Sequence, residues 1–271
     1  MALRRAWLAI SIALIASVGG VRAQTPDAAS VLAKAREALG GEKKLAAVRT
    51  IVIEGETRQV RGDNLVPIVF QTHIELPDRY SRRDETPATE SGYSTNGFNG
   101  DGLILLPLPP TSPPAPQRAT RVTTLKQDFT RLMLGMFAAS QPSYPLAFTR
   151  IGVAESPQGK ADVIEAKGPD NFVARLLINQ ETHLPVMLSW SPPAGRTGAP
   201  PAYAGRGATP APTSALPPEN RIFYADYRDV DGIQLPFRLR RAVGADTVEE
   251  TTVDRYKLNA KIDPKKFEVI K

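Results

Sequence analysis

Residues 222–240 read Ile222-Phe223-Tyr224-Ala225-Asp226-Tyr227-Arg228-Asp229-Val230-Asp231-Gly232-Ile233-Gln234-Leu235-Pro236-Phe237-Arg238-Leu239-Arg240, and this stretch decides the fold class. Ile233, Leu235, Phe237 and Leu239 fall on one face, whereas Gln234, Arg238 and Arg240 fall on the other. Alternation with a period of two describes a strand with one dry and one wet face. The preceding Asp231-Gly232 is a hairpin signal, and residues 222–227 supply the partner strand. A further run, 247–258, continues the meander before the chain closes on Ile262-Asp263-Pro264-Lys265-Lys266-Phe267.

The same pattern recurs upstream. Residues 50–56, 68–74, 103–106, 148–153, 161–166, 173–178 and 186–190 read as strands, and the polar run 79–84 extends the ladder. Asn96-Gly97, Asn99-Gly100 and Asp101-Gly102 read as tight turns around the one apolar strand 103–106. Residues 107–116, rich in proline, predict an extended loop, because proline has no amide hydrogen for a ladder. Two helical segments, 27–39 and 42–48, precede the first strand, with Gly40-Gly41 between them. Residues 123–139 are the most periodic helix, in which Leu125, Phe129, Leu132, Met133 and Met136 form a continuous apolar stripe. The expectation is a mainly β (α+β) protein: one antiparallel sheet of roughly nine to eleven strands with two or three helices. So large a sheet curls, and the 123–139 stripe is the candidate cover for its inner face.

Residues 1–23 read as a cleavable export signal. Arg4 and Arg5 precede an apolar run over 6–18, and Val21-Arg22-Ala23 offers a cleavage site before Gln24. The alternative is an uncleaved anchor, but the run is shorter than the ~20 residues that a bilayer span requires. The expected mature chain, 24–271, is a single periplasmic domain with Pro-rich loops at 107–116 and 191–219. It contains no cysteine, which excludes a lipid-modified N-terminus, thiol catalysis and disulfides. Loss of Arg4, Arg5 and Arg22 takes the formal charge from +6 to +3. With no basic stripe interleaved with aromatics, nucleic acid is not an expected partner.

Catalytic chemistry is poorly supplied. His73 and His183 are the two histidines, and neither lies near a Gly-x-Ser-x-Gly elbow. His73 with Glu75 and Asp78, or Asp226 with Asp229 and Asp231, could be imagined around a metal, but neither has a recognised ligand spacing. Gly97, Gly100 and Gly102 belong to no strand–loop–helix phosphate cradle. The expectation is therefore a protein without catalysis, cofactor or metal. The remaining signal is an apolar lining: Leu125, Phe129, Leu132, Met133, Met136 and Phe137 on the helix, and Ile233, Leu235, Phe237 and Leu239 on the strand. Thioethers and aromatics can mould to acyl chains, though the same residues also suit ordinary core packing. Arg238 and Arg240, like Arg79, Arg82 and Arg83, suit either anionic head groups or a solvated outer face.

Several motifs together resemble the LolA-like superfamily of bacterial envelope proteins, in particular its exported members of the outer-membrane lipoprotein-sorting type. They are Ala38-Leu39-Gly40-Gly41-Glu42-Lys43-Lys44-Leu45, Leu76-Pro77-Asp78-Arg79-Tyr80, Asn99-Gly100-Asp101-Gly102, Glu181-Thr182-His183-Leu184-Pro185-Val186, Asp226 through Pro236, and the closing 262–267 motif. The resemblance implies an unclosed antiparallel β-barrel whose concave apolar side is covered by helices and holds acyl chains. It also implies a monomeric periplasmic carrier or chaperone for a lipid or lipidated protein, working with an inner- or outer-membrane protein partner. The rival expectation is an envelope sensor or interaction module with a filled core, in which 191–219 contacts the partner.

Overall fold

The computed structural model describes residues 27–87, 92–156, 159–191 and 218–270. The expected export signal and nearly all of the Pro-rich segment 191–219 lie outside these residues. The chain opens with helices α1 (Ala28–Ala38) and α2 (Glu42–Ala47), followed by strands β1 (Thr50–Arg61), β2 (Asn64–Glu75), β3 (Arg79–Glu85), β4 (Tyr93–Asn99) and β5 (Gly102–Leu106). The long helix α3 (Ala115–Phe137) comes next. It leads into β6 (Ala147–Ser156), β7 (Gly159–Lys167), β8 (Val173–Asn179), β9 (Pro185–Trp190), β10 (Asn220–Val230), β11 (Ile233–Val243) and β12 (Asp246–Leu258). A 3-10 turn over Pro264–Phe267 follows the last strand.

Among the described residues, 12 strands form one antiparallel sheet in the order β5-β4-β3-β2-β1-β12-β11-β10-β9-β8-β7-β6. Each half is a meander of neighbouring hairpins, and the halves join where β1 pairs with β12, from Ile51 opposite Leu258 to Gln59 opposite Glu249. Among the described residues the edges β5 and β6 do not pair, so the sheet is an unclosed barrel. Helix α3 lies inside the curve, touching β4 and β5 on one side and β8 and β9 on the other. It thereby spans the gap that closure would have eliminated.

Burial drives this arrangement. Ile51, Ile53 and Thr57 of β1 face inward with Ile74, Thr72 and Ile68, their partners on β2. Phe129 of α3 meets Phe98 edge-on at 5.5 Å and Tyr80 at 5.7 Å, which fixes the helix over β3 and β4. Met133, Leu134 and Met136 of the same helix are fully buried. At the other end, the α1–α2 corner docks on the β10–β11 hairpin, where the Gln234 amide donates to the Leu39 carbonyl at 2.9 Å. Asp27 caps α1, its Oδ1 accepting from the Ser30 amide at 2.7 Å.

Three sequence expectations need correction. The sheet has one strand more than the upper expectation, because Asn96-Gly97 is not a turn but lies within β4. There Gly97 lets β3 approach closely: a Cβ at this position would stand 2.1 Å from the Tyr80 carbonyl oxygen. Second, the long helix begins at Ala115 rather than 123, with proline in its first turn. An amide is dispensable at that position, so the Pro-rich loop is shorter than 107–116. Third, most strands outrun the apolar cores by which they were recognised; β2 runs from Asn64 through a Pro67 paired with Arg58.

Candidate functional site

Helix α3 does not fill all the space beneath it. Between its middle turns and the β1–β3 and β11–β12 regions lies a cavity of about 240 Å³. The apolar lining comes from Ile53, Phe70, Val253 and Tyr256 on the sheet and Leu132 and Met136 on the helix. Tyr256 is anchored by its hydroxyl, which donates to the Pro236 carbonyl at 2.7 Å, and its ring meets Phe237 edge-on at 5.2 Å. Burial pushes the Tyr256 phenol well above its ordinary pKa, so it stays a neutral donor.

One wall is charged. Arg82 of β3, Arg131 of α3 and Arg241 of β11 all line the cavity, together with Asp128 and Glu249. Arg82 donates through Nε to Asp84 at 2.7 Å and lies over the Phe70 ring at 4.3 Å. Burial disfavours its charge, but Asp84 and Glu249 outweigh that effect and hold its pKa above the ordinary value. Arg131 is only 9% exposed, although its Nη1 donates to Asp128 at 2.7 Å. Its guanidinium packs on the Trp190 ring at 4.6 Å and the Phe172 ring at 5.2 Å. Burial lowers its pKa, with the charge of Arg241 acting in the same direction.

A larger hollow of about 640 Å³ lies on the outer face, between β2–β5 and the C-terminal segment. Exposed Tyr93, Leu106, Leu108 and Val269 border it. His73 sits at its base, 6% exposed, and its pKa falls to about 4 through burial and the nearby Lys266 charge. The inner cavity is the better candidate, because there apolar walls and buried cationic donors converge under a helix.

Among solved structures, a LolA superfamily protein from Nitrosomonas europaea superposes with a TM-score of 0.54 at 16% identity, over 90% of this chain and 98% of that one. A Vibrio parahaemolyticus domain described as an outer membrane lipoprotein-sorting protein gives 0.53 at 9% identity, over 89% and 97%. A DUF1329 family protein from Desulfovibrio piger gives 0.52 at 10% identity, over 89% and 97%. The fold is LolA-like. Neither a family model nor a curated protein matches the sequence.

Within this LolA-like fold the ten residues expected to line the cavity divide into three groups. Leu132, Met136 and Leu239 line it. Phe129, Met133, Phe137, Ile233, Leu235 and Phe237 are buried in the surrounding core. Leu125 borders a separate surface depression near the start of α3. Arg238 and Arg240 lie on the outer face, beside Arg58 and Glu56, in a shallow polar hollow. Sequence reasoning missed Arg131 and Arg241. Arg241 was within reach, since the alternation that carries Leu239 inward carries Arg241 inward as well. The turn residues behave as expected, with Asp229 Oδ1 accepting from the Gly232 amide at 3.0 Å. His183 occupies a hairpin turn at φ 58°. Among the described residues, no cluster of three metal-ligating side chains occurs, and no helix is long and apolar enough to cross a membrane.

Proposed function

We propose that this protein is a periplasmic, non-catalytic carrier that holds an acyl chain between the inner face of its sheet and helix α3. The single observation that carries the reading is the apolar-walled cavity under a helix that bridges an unclosed barrel. Its size bounds the cargo. An engineered cavity of about 150 Å³ accommodates benzene, and drug-sized ligands occupy pockets of ~300–1,000 Å³. At about 240 Å³, the cavity accepts part of one chain. Burying about six methylenes would contribute ~5 kcal/mol. Leu132, Met136 and Leu239 are the contact residues of this reading, and Phe129, Met133, Phe137, Ile233, Leu235 and Phe237 form the packed base supporting them.

The test is native mass spectrometry, with lipid extraction, of protein purified from the periplasm without detergent. Stoichiometric lipid is expected, and Leu132→Trp, which puts an indole into the cavity, should lose it while melting near the wild-type temperature. A protein that stays free of lipid after incubation with phospholipids and lipopeptides would favour the filled-core interaction module. The dense packing of Met133, Leu134 and Met136 is what favours that second reading.

A further inference from the structure

The two buried arginines on the cavity wall are incompletely satisfied. The Nε atoms of Arg131 and Arg241 are both buried and have no hydrogen-bond partner among the described residues. Arg241 Nη2 reaches Asn220 Oδ1 at 3.4 Å. The neighbouring carboxylates accept from other donors and from neither Nε. Asp128 accepts from Arg131 Nη1 and Asp84 from Arg82 Nε, each at 2.7 Å. Glu249 accepts from Gln59 at 3.5 Å and from Thr251 at 3.4 Å. A buried cationic N–H without an acceptor is destabilising, and here the two arginines that carry one line a common cavity from α3 and β11.

We infer that the cavity is a site for a single-chain amphiphile with an oxyanion head, its carboxylate or phosphate oxygens accepting from Arg131 and Arg241. The tail runs along Leu132, Met136 and Leu239. Guanidinium forks match planar or tetrahedral oxyanions geometrically. Trp190 and Phe172 brace the Arg131 guanidinium, so it is held in place before a ligand arrives. An anion between two like charges also relieves their repulsion, which a neutral head cannot do. Volume argues for one chain: a diacyl or triacyl cargo does not fit about 240 Å³ with the helix in this position. This inference rests on the carrier reading and narrows its cargo.

Calorimetry with decanoate, 1-decanol and inorganic phosphate, all below micelle formation, tests it on the wild-type chain. Decanoate should bind roughly tenfold to a hundredfold more tightly than decanol, the range expected for hydrogen bonds to charged groups. Arg131→Gln and Arg241→Gln should each erase most of that preference while leaving decanol affinity intact, and Arg241→Lys should retain part of it. Equal affinity for decanoate and decanol would overturn the oxyanion site but leave the carrier standing. Phosphate binding as tightly as decanoate would also overturn it, showing a free-oxyanion site that does not use the apolar wall. If neither amphiphile binds, the carrier reading fails along with it.

Discussion

Gly135 of α3 and Tyr224 of β10 touch so closely that a Cβ at 135 would stand 2.3 Å from both the ring carbon Cζ and the hydroxyl. This contact sets how deeply the helix sits in the sheet. Alanine would favour the helix by about 1 kcal/mol, but overpacking costs ~1–3 kcal/mol. Tyr224 is 2% exposed and has nowhere to swing. Gly135→Ala should therefore lower the unfolding free energy by up to about 2 kcal/mol in urea melts, and a midpoint raised above wild type would show that the ring yields.

The Tyr224 hydroxyl itself is buried without a partner among the described residues. Leaving such a donor unpaired costs ~1–3 kcal/mol. Tyr224→Phe should then be neutral or stabilising by about 1 kcal/mol. A clear loss of stability would mean that the hydroxyl has an acceptor, such as an internal water.

Arg150 and Asp162 form an ion pair at 2.6 Å, with side chains 12% and 10% exposed, and Gln180 also donates to Asp162 at 3.0 Å. Removing one member of a buried pair strands the other, at about 3–5 kcal/mol. Asp162→Ala should show a loss of that order in denaturant melts, whereas the double variant Arg150→Met with Asp162→Leu should lose far less. Equal losses would mean that the pair itself is favourable beyond compensating its own burial.

His73 predicts an acid limb in the stability profile. Its pKa is about 4 in the fold against 6.5 outside it, so the unfolded chain binds the extra proton between those values. Stability is full above pH 6.5 and falls as pH drops toward 4. The hollow beside the ring admits solvent screening, so roughly 1–2 kcal/mol is expected rather than the full linkage of the shift. Glu54, held at about 2 chiefly by its hydrogen bond from Arg255, adds a second decline as pH falls from 4.5 toward 2. Melts of His73→Gln from pH 7 to pH 4 should be flatter than wild type; parallel curves would reject the assignment.

How far the sequence discloses this architecture depends on what each residue had to signal. The β10–β11 hairpin was legible because alternation and turn chemistry agreed on it. β4 was not, because Asn96-Gly97 carries the same local signal whether the glycine forms a turn or lets a neighbouring backbone approach. The first turns of α3 were hidden because Pro116 reads as a breaker, and only its position within the first turn makes it compatible with helix. The cavity was half legible: the apolar stripe located the covering helix, but which of its residues face space and which face side chains depends on packing. Arg131 carried no signal at all, because on a helix an arginine flanking the apolar stripe reads as solvated. Only tertiary structure brings Trp190 and Phe172 against it.

The pairing of β1 with β12 has a kinetic consequence. Each meander can zip up from local hairpins, but the central seam joins Ile51 to Leu258 across almost the whole described chain. Closing so long a loop costs entropy before it gains contacts. Until the last strand is in hand, the two half-sheets expose their greasy inner faces with no common floor beneath α3. The chain thus stays pliable while its final strand is withheld, and it acquires a lidded interior only when its two ends meet.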